Sequence, residues 1–381
     1  MTADTYQICN RCIMDTTDPE IRFDDRGNCN HCNSALELAG KIWFPDERGE
    51  KLLNKIFERI RHEEKSKEFD CIIGLSGGVD SSYLAYLAVN KGLRPLVVHV
   101  DCGWNSEQAV KNIENVVKKL NIELHTFVVN WEEMKDLQRS FFKASLPDQD
   151  IPQDHAIFAA LYNFADKNNI RYVLNGLNFA TECIMPQNWG YQAMDYRHLR
   201  SVHNRFGEKQ LKDYPHVNFF QRYIYYTIIK KMDIINPLNY VDYRKDNVIE
   251  IMKRELGWQY YGGKHYESRF TKFFQSYYLP LKFNFDKRRA HLSSLIVSGQ
   301  ISRDDALDKM KEDVYSDNEI GNDLEFVAKK LDWSSQEFKA IIDLPPKRHK
   351  DFASNESLFS FGMRAKNYLK SKTQSNTKGI R

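Results

Sequence analysis

The sequence predicts an α/β protein: a doubly wound parallel sheet preceded by an N-terminal zinc ribbon and followed by a helical C-terminal region. Three observations carry this expectation. Apolar strand-like runs alternate with helical runs between residues 69 and 174. A glycine- and serine-rich loop, Ser76-Gly77-Gly78-Val79-Asp80-Ser81-Ser82, joins the first strand to the first helix of that series. Four of the seven cysteines form two Cys-x-x-Cys pairs near the N-terminus.

The loop is the most specific of the three. Phe69-Asp70-Cys71-Ile72-Ile73-Gly74 reads as a buried parallel strand, and Tyr83-Leu84-Ala85-Tyr86-Leu87-Ala88 continues as a helix. Gly77 and Gly78 let backbone N–H groups close on an anion at the helix N-terminus. A Walker A loop would carry a lysine for the β/γ-phosphates, and this loop has none. Ser76, Ser81 and Ser82 offer hydroxyls instead, and Asp80 suits either helix capping or a magnesium ion. The S-G-G-x-D-S-[ST] pattern resembles the PP-loop of ATP pyrophosphatases, of the adenine nucleotide alpha hydrolase-like fold. That resemblance implies ATP cleaved to AMP and pyrophosphate.

Cys9-x-x-Cys12 and Cys29-x-x-Cys32, with sixteen residues between the pairs, fit a structural zinc site of four thiolates. Asp24-Asp25-Arg26-Gly27-Asn28 supplies a turn expected between two short strands. A closed tetrahedron leaves no open position, and the metal would supply about 10–16 kcal/mol of folding free energy to a segment too short for its own core. Iron suits the same cage chemically. His31 reads as a knuckle residue, not a ligand.

The expected organisation is a ribbon over 1–45, a connecting amphipathic helix over 46–68, the ATP-binding domain over 69–260, a helical substrate-binding region over 261–370 and a disordered tail over 371–381. Within the ATP domain the order is strand Cys71–Leu75, helix Ser81–Asn90, strand Pro95–Val100, helix Ser106–Leu120, strand Glu123–Val129, helices through Ala144 and over Gln153–Lys167, and strand Arg171–Leu174. Ligands of such sheets collect beyond the carboxyl ends of the strands. Ser302-x-x-Asp305 and Ser334-x-x-Glu337 read as capping boxes.

At 381 residues and 42% apolar content the chain is long enough for more than one domain. Lysine and arginine (55) exceed aspartate and glutamate (52) by only three, which argues against a surface devoted to nucleic acid. No apolar run has membrane-spanning length and no signal-peptide pattern opens the chain, so a cytoplasmic protein is expected.

Several further residues suit the chemistry. Asp101 ends the second strand and reads equally as a nucleotide contact and as a turn former. Asn175-Gly176-Leu177-Asn178-Phe179-Ala180-Thr181-Glu182 resembles the Gly-x-Asn-x-x-x-Glu element that faces ATP in related synthetases, making Glu182 a candidate magnesium or substrate contact. Lys245, in Pro237–Val248, is a candidate for the cation that the loop lacks, or an ordinary first-turn helix residue. Bases and aromatics interleave in Gly262-Gly263-Lys264-His265-Tyr266-Glu267-Ser268-Arg269-Phe270-Thr271-Lys272-Phe273-Phe274-Gln275, followed by Asp286-Lys287-Arg288-Arg289-Ala290-His291-Leu292-Ser293. Lys264, His265, Arg269 and Lys272 are candidates for gripping a substrate diphosphate, while the phenylalanines suit a core face.

Together these pieces resemble the N-acetyl sugar amidotransferase family of the WbpG/PseA type. The similarity runs from Cys9-Asn-Arg-Cys12 through Leu75–Ser82 to Lys264–Gln275 and His291–Asp304, with Cys102 standing where an asparagine is expected. It implies conversion of a sugar acetamido group to acetamidino in surface-polysaccharide biosynthesis, which would make the diphosphate gripped by Lys264, His265, Arg269 and Lys272 that of a nucleotide sugar. ATP and Mg²⁺ would serve through Ser76, Asp80, Lys245 and Glu182. Cys71, Cys102 and Cys183 lack the context of a glutaminase nucleophile, so the resemblance implies ammonia from a partner glutaminase and a cyclase-like protein related to histidine-pathway enzymes. The rival expectation is a PP-loop tRNA-modifying enzyme of thiolation or lysidine type, with Cys102 or Cys183 as sulfur carrier.

Overall fold

The computed structural model describes residues 6–359, so the expected tail lies outside the described residues. In chain order the elements are α1 (Asn30–Ile42), α2 (Glu47–Glu63), β1 (Cys71–Gly74), α3 (Val79–Asn90), β2 (Pro95–Asp101), α4 (Glu107–Leu120), β3 (Leu124–Val128), α5 (Trp131–Ala144), α6 (Ile151–Lys167), β4 (Tyr172–Leu174), α7 (Phe179–Glu182), α8 (Tyr196–Phe206), β5 (Asp233–Ile235) and α9 (Lys245–Leu256). The C-terminal region continues with α10 (Arg269–Phe273), α11 (Leu279–Phe283), α12 (Lys287–Val297), α13 (Arg303–Met310), α14 (Asp317–Lys330) and α15 (Ser335–Ile342).

The strands form one parallel sheet in the order β3-β2-β1-β4-β5. Ile73 pairs with Val97 on one side and Leu174 on the other, which puts β1 at the centre. The chain winds outward through β2 and β3, then returns across β1 to β4, so the topological switch falls between β1 and β4. Both faces are covered. Cys71, Ile73 and Val97 pack with residues of α2, α3, α4 and α9, while Ile72, Leu96 and Val98 pack with α5, α6 and the C-terminal helices. Burial on two sides explains why these strands read as continuous apolar runs.

Two expectations change. A fifth strand, β5, extends the sheet beyond β4. Among the described residues of the N-terminal module only the isolated antiparallel bridges Ile8↔Asp15 and Phe23↔Cys29 form, in place of two strands. The physical reason is local. Asp24 accepts from the N–H groups of Arg26 and Asn28 (both 2.9 Å), which closes the turn, and Cys29 then caps α1 through its sulfur. The Ser334/Glu337 capping box forms, Ser302 caps the N–H of Asp305, and a further box forms at Ser316/Glu319.

The N-terminal module rests on the C-terminal region. The N–H of Ile13 donates to Ser293 Oγ (3.2 Å), Arg289 donates to the Ile13 carbonyl (3.0 Å), and Arg303 donates to the carbonyls of Cys9 and Cys12. Cysteine pair, α12 and α13 are thereby joined.

Candidate active site

A cavity of about 700 Å³ opens where the topological switch predicts it, outside the carboxyl ends of β1, β2 and β4. One wall is the Ser76–Ser82 loop. Gly78 caps α3 in an extended conformation, and Gly77 has φ +81°, a conformation that suits glycine. A Cβ on Gly77 would lie 2.5 Å from the Ala109 carbonyl oxygen, so the close approach of α4 also requires the missing side chain. The Gly77 carbonyl accepts from the indole N–H of Trp258 (2.9 Å), and the hydroxyls of Ser76 and Ser81 lie 3.2 Å apart.

Lys264 reaches into the cavity from the other side. Its ammonium lies 2.9 Å from Glu182 Oε1 and 3.5 Å from Asp80 Oδ2, and it donates to Thr181 Oγ1 at 2.7 Å. Burial disfavours the charge, Glu182 and Asp80 favour it, and the net effect raises the Lys264 pKa. Tyr243 donates to the other oxygen of Asp80, fixing that carboxylate. The cation therefore comes from a segment distant in sequence. Lys245, at the start of α9, also lines the cavity and has no carboxylate partner among the described residues. Burial, followed by the Lys264 charge, lowers its pKa.

Glu267 closes the loop from above. Its Oε1 would lie 2.8 Å from a Cβ on Gly78, and Ser76 Oγ lies 3.5 Å away. Burial raises its pKa. Lys287 and His291 of α12 line the same cavity, as do Asp148, Asp150 and Asp154 around the start of α6. Burial raises the pKa of all three aspartates, Asp150 to about 7, against the opposing charge of Lys287. Sequence reasoning gave no role to Glu267, Lys287 or His291, although the stretches that hold them stood out for their cations.

Ser76, Gly78, Asp80, Ser81, Glu182, Lys245, Lys264 and His265 thus converge on one cavity. Other candidates do not. The Ser82 side chain is fully buried outside the cavity, and Gly77 contributes through loop shape. Asp101 accepts from the N–H of Gly103 (2.7 Å) and from Asn105 (3.1 Å), the turn-former reading, while His99 and Asn105 line the cavity beside it. Arg269 and Lys272 also lie outside it. Arg269 pairs with Asp323 (2.5 Å) and stacks 3.8 Å over the Phe326 ring, and Lys272 pairs with Glu319 (3.4 Å), so both tie α10 to α14. The expectation that they grip a diphosphate is corrected: acidic and aromatic partners on α14 already hold them.

The donor sets fit the two metals named above. An ammonium sits between Asp80 and Glu182, so this pair accommodates a cation beside the loop, as a magnesium site requires. The four cysteine sulfurs lie within 4.8 Å of one another, with Cys9···Cys32 at 3.7 Å and Cys12···Cys29 at 3.5 Å. Tetrahedral zinc with Zn–S of about 2.3 Å requires sulfurs about 3.8 Å apart. The N–H groups of Cys12 and Cys29 point at Cys9 Sγ (3.4 and 3.1 Å), which favours a thiolate there. His31 pairs with Asp18 and takes no part.

Residues 267–366 match the C-terminal domain of WbpG-like LPS biosynthesis proteins, and residues 52–212 match NAD synthase. GMP synthase [glutamine-hydrolyzing] of Thermus thermophilus is 32% identical over 108 residues, covering 28% of this chain and 20% of that protein. The tRNA-specific 2-thiouridylase MnmA 2 of Fusobacterium nucleatum is 28% identical over 191 residues, 47% of this chain and 49% of that protein. The chain therefore spans between a fifth and a half of the length of these relatives. Among solved structures, NMN synthetase from Francisella tularensis aligns with TM-score 0.32 and 17% identity over 79% of this chain and 97% of that one. NH3-dependent NAD synthetase from Campylobacter jejuni aligns with TM-score 0.30 and 15% identity over 78% and 98%. With the loop and the cavity in place, the chain combines a segment similar to NAD synthase, a PP-loop ATP pyrophosphatase, with a segment similar to the C-terminal domain of WbpG-like LPS biosynthesis proteins.

Proposed function

We propose that this ATP-dependent, amidotransferase-type enzyme converts an acetamido group of a nucleotide-activated sugar to acetamidino, with ammonia supplied by a partner glutaminase. The substrate class is a UDP-diacetamido uronic acid or a nonulosonic-acid precursor. One observation carries the reading: Glu267, Lys287 and His291, all within the WbpG-like segment, line the same cavity as the PP-loop. The segment matched to surface-polysaccharide biosynthesis thus faces the ATP loop.

An amide carbon is a poor electrophile, so its oxygen must become part of a leaving group. In the proposed reaction the amide oxygen attacks the α-phosphorus of ATP, and pyrophosphate leaves toward the Ser76, Gly78 and Ser81 cradle. Lys264 and Lys245 offset the growing charge. Magnesium, held by Asp80 and Glu182, would supply further charge neutralisation of the phosphates. Ammonia then displaces AMP from the adenylated imidate. Holding both substrates in line contributes roughly 7–11 kcal/mol to the barrier reduction.

The thiouridylase likeness keeps a tRNA-modifying reading in view, but a sulfur carrier needs an accessible thiolate. Burial pushes Cys183 up to about 11 and Cys102 higher still, which disfavours that role. The deciding experiment is a pyrophosphate-release screen in which UDP-acetamido sugars, each with ammonium, and unmodified tRNA are offered separately. Sugar-dependent release supports the amidotransferase. Release with tRNA alone supports the rival.

A further inference from the structure

His291 stands in the cavity wall with both ring nitrogens buried and neither hydrogen-bonded among the described residues. Buried polar groups are nearly always paired, so an unpaired imidazole facing a ligand cavity marks hydrogen bonds that the ligand supplies. Its surroundings define the ligand's chemistry. Burial, then the charges of Lys264, Lys287 and Lys245, with the neighbouring His265 ring 5.6 Å away, hold the His291 pKa well below its ordinary value. The ring is therefore neutral and offers one N–H donor and one lone pair. A polyphosphate has acceptors only and would leave the lone pair empty. Three lysines already line the cavity for such anions. A secondary amide brings an N–H donor as well as an oxygen.

We propose that His291 positions the substrate's acetamido group, its ring lone pair accepting the amide N–H. This inference rests on the acetamido reading above. Accepting that hydrogen bond enriches the amide oxygen in electron density, and this oxygen must attack the α-phosphorus. As the new O–P bond forms, the bond to pyrophosphate breaks and its electron pair leaves with pyrophosphate. The amide nitrogen becomes cationic, and its proton passes along the hydrogen bond to His291. Pyrophosphate and adenylate anions then offset the imidazolium charge. Ammonia adds to the carbon of the now neutral imidate, the C–O bond breaks, and AMP leaves with the electron pair. The three ammonia hydrogens remain on the two nitrogens of the amidinium product, so the one surplus proton is the one on His291.

The test uses the full chain with ATP, ammonium and UDP-diacetamido uronic acid, or its N-methylacetamido analogue, which has no amide N–H. Wild type should favour the acetamido compound. H291A should raise the KM for the sugar about tenfold or more while moving the KM for ATP less than about twofold, and it should stop distinguishing the two sugars. H291Q, which keeps an acceptor oxygen, should recover part of both effects. A normal sugar KM with intact discrimination in H291A overturns the proposal, as does an equal loss for ATP and sugar. No sugar-dependent pyrophosphate release by wild type overturns the acetamido reading itself, and this inference with it.

Discussion

Trp258 donates its indole N–H to the carbonyl of Gly77 at 2.9 Å, and its ring is buried against the sheet face that carries α3, α4 and α9. The bond fixes the loop's left-handed residue from outside the cavity, so the cradle is held before any phosphate arrives.

Trp258→Phe keeps most of the buried ring and removes the donor. The unpaired carbonyl should cost about 1–3 kcal/mol of stability. Because the loop loses its brace, the KM for ATP should rise while the KM for the second substrate stays unchanged. Urea denaturation and initial rates measure the two effects separately.

Lys264→Met should remove the ammonium between Asp80 and Glu182 without changing the fold of the sheet. Loss of the charge proposed to offset the leaving phosphates should lower pyrophosphate release about 10²–10³-fold. Rates within a few-fold of wild type would remove Lys264 from the phosphate site.

Arg269→Ala leaves Asp323, which is buried, without its guanidinium. The arginine is partly exposed, so the expected loss is a modest 1–3 kcal/mol or about that order. Affinity for the sugar nucleotide should be unaffected, which calorimetry on that ligand checks directly.

His155 donates from Nδ1 to the Ala193 carbonyl (2.8 Å) and accepts the Val217 N–H at Nε2 (3.3 Å), so its neutral form is fully paired. Burial lowers its pKa to about 4. The unfolded chain then binds more protons than the folded one between about pH 6.5 and 4, and this contribution to stability is lost as pH falls through that window. Asp150, raised to about 7 by burial, titrates nearby with the opposite sign, so the difference between wild type and His155→Gln is the quantity to measure. From pH 7 to 5 the wild type should lose about 2 kcal/mol relative to the variant.

Cys29→Ser should lower bound zinc and stability together, since metal binding and folding of a small thiolate module are one equilibrium. Elemental analysis and thermal denaturation, with and without added zinc, check the coupling. Full metal content in the variant would exclude Cys29 as a ligand.

The cysteine spacing and the Leu75–Ser82 run were legible because their chemistry is local: residues a few positions apart make one knuckle or one anion cradle. Strand β5 was not. Asp233-Ile234-Ile235 is too short to carry a period, and only pairing with β4 makes it a strand. Arg269 and Lys272 were misread for a related reason. A sequence displays cations but not the Asp323 and Glu319 that engage them from α14. Lys264 stood out in the sequence as a candidate for the sugar-nucleotide diphosphate, but its place beside Asp80 and Glu182 depends on the tertiary fold. His291 is the extreme case, because what distinguishes it is the lack of a hydrogen-bond partner among the described residues, and no sequence displays that.

The bonds from Ile13, Cys9 and Cys12 to Ser293, Arg289 and Arg303 bear on how this protein can be recombined. A chimera that borrows only the cysteine module from a homologue would meet a foreign α12, and one that borrows only the C-terminal region would present Arg303 to foreign carbonyls. The cysteine module and α12–α13 would therefore have to be exchanged together, and with them the cavity wall that Lys287 and His291 supply.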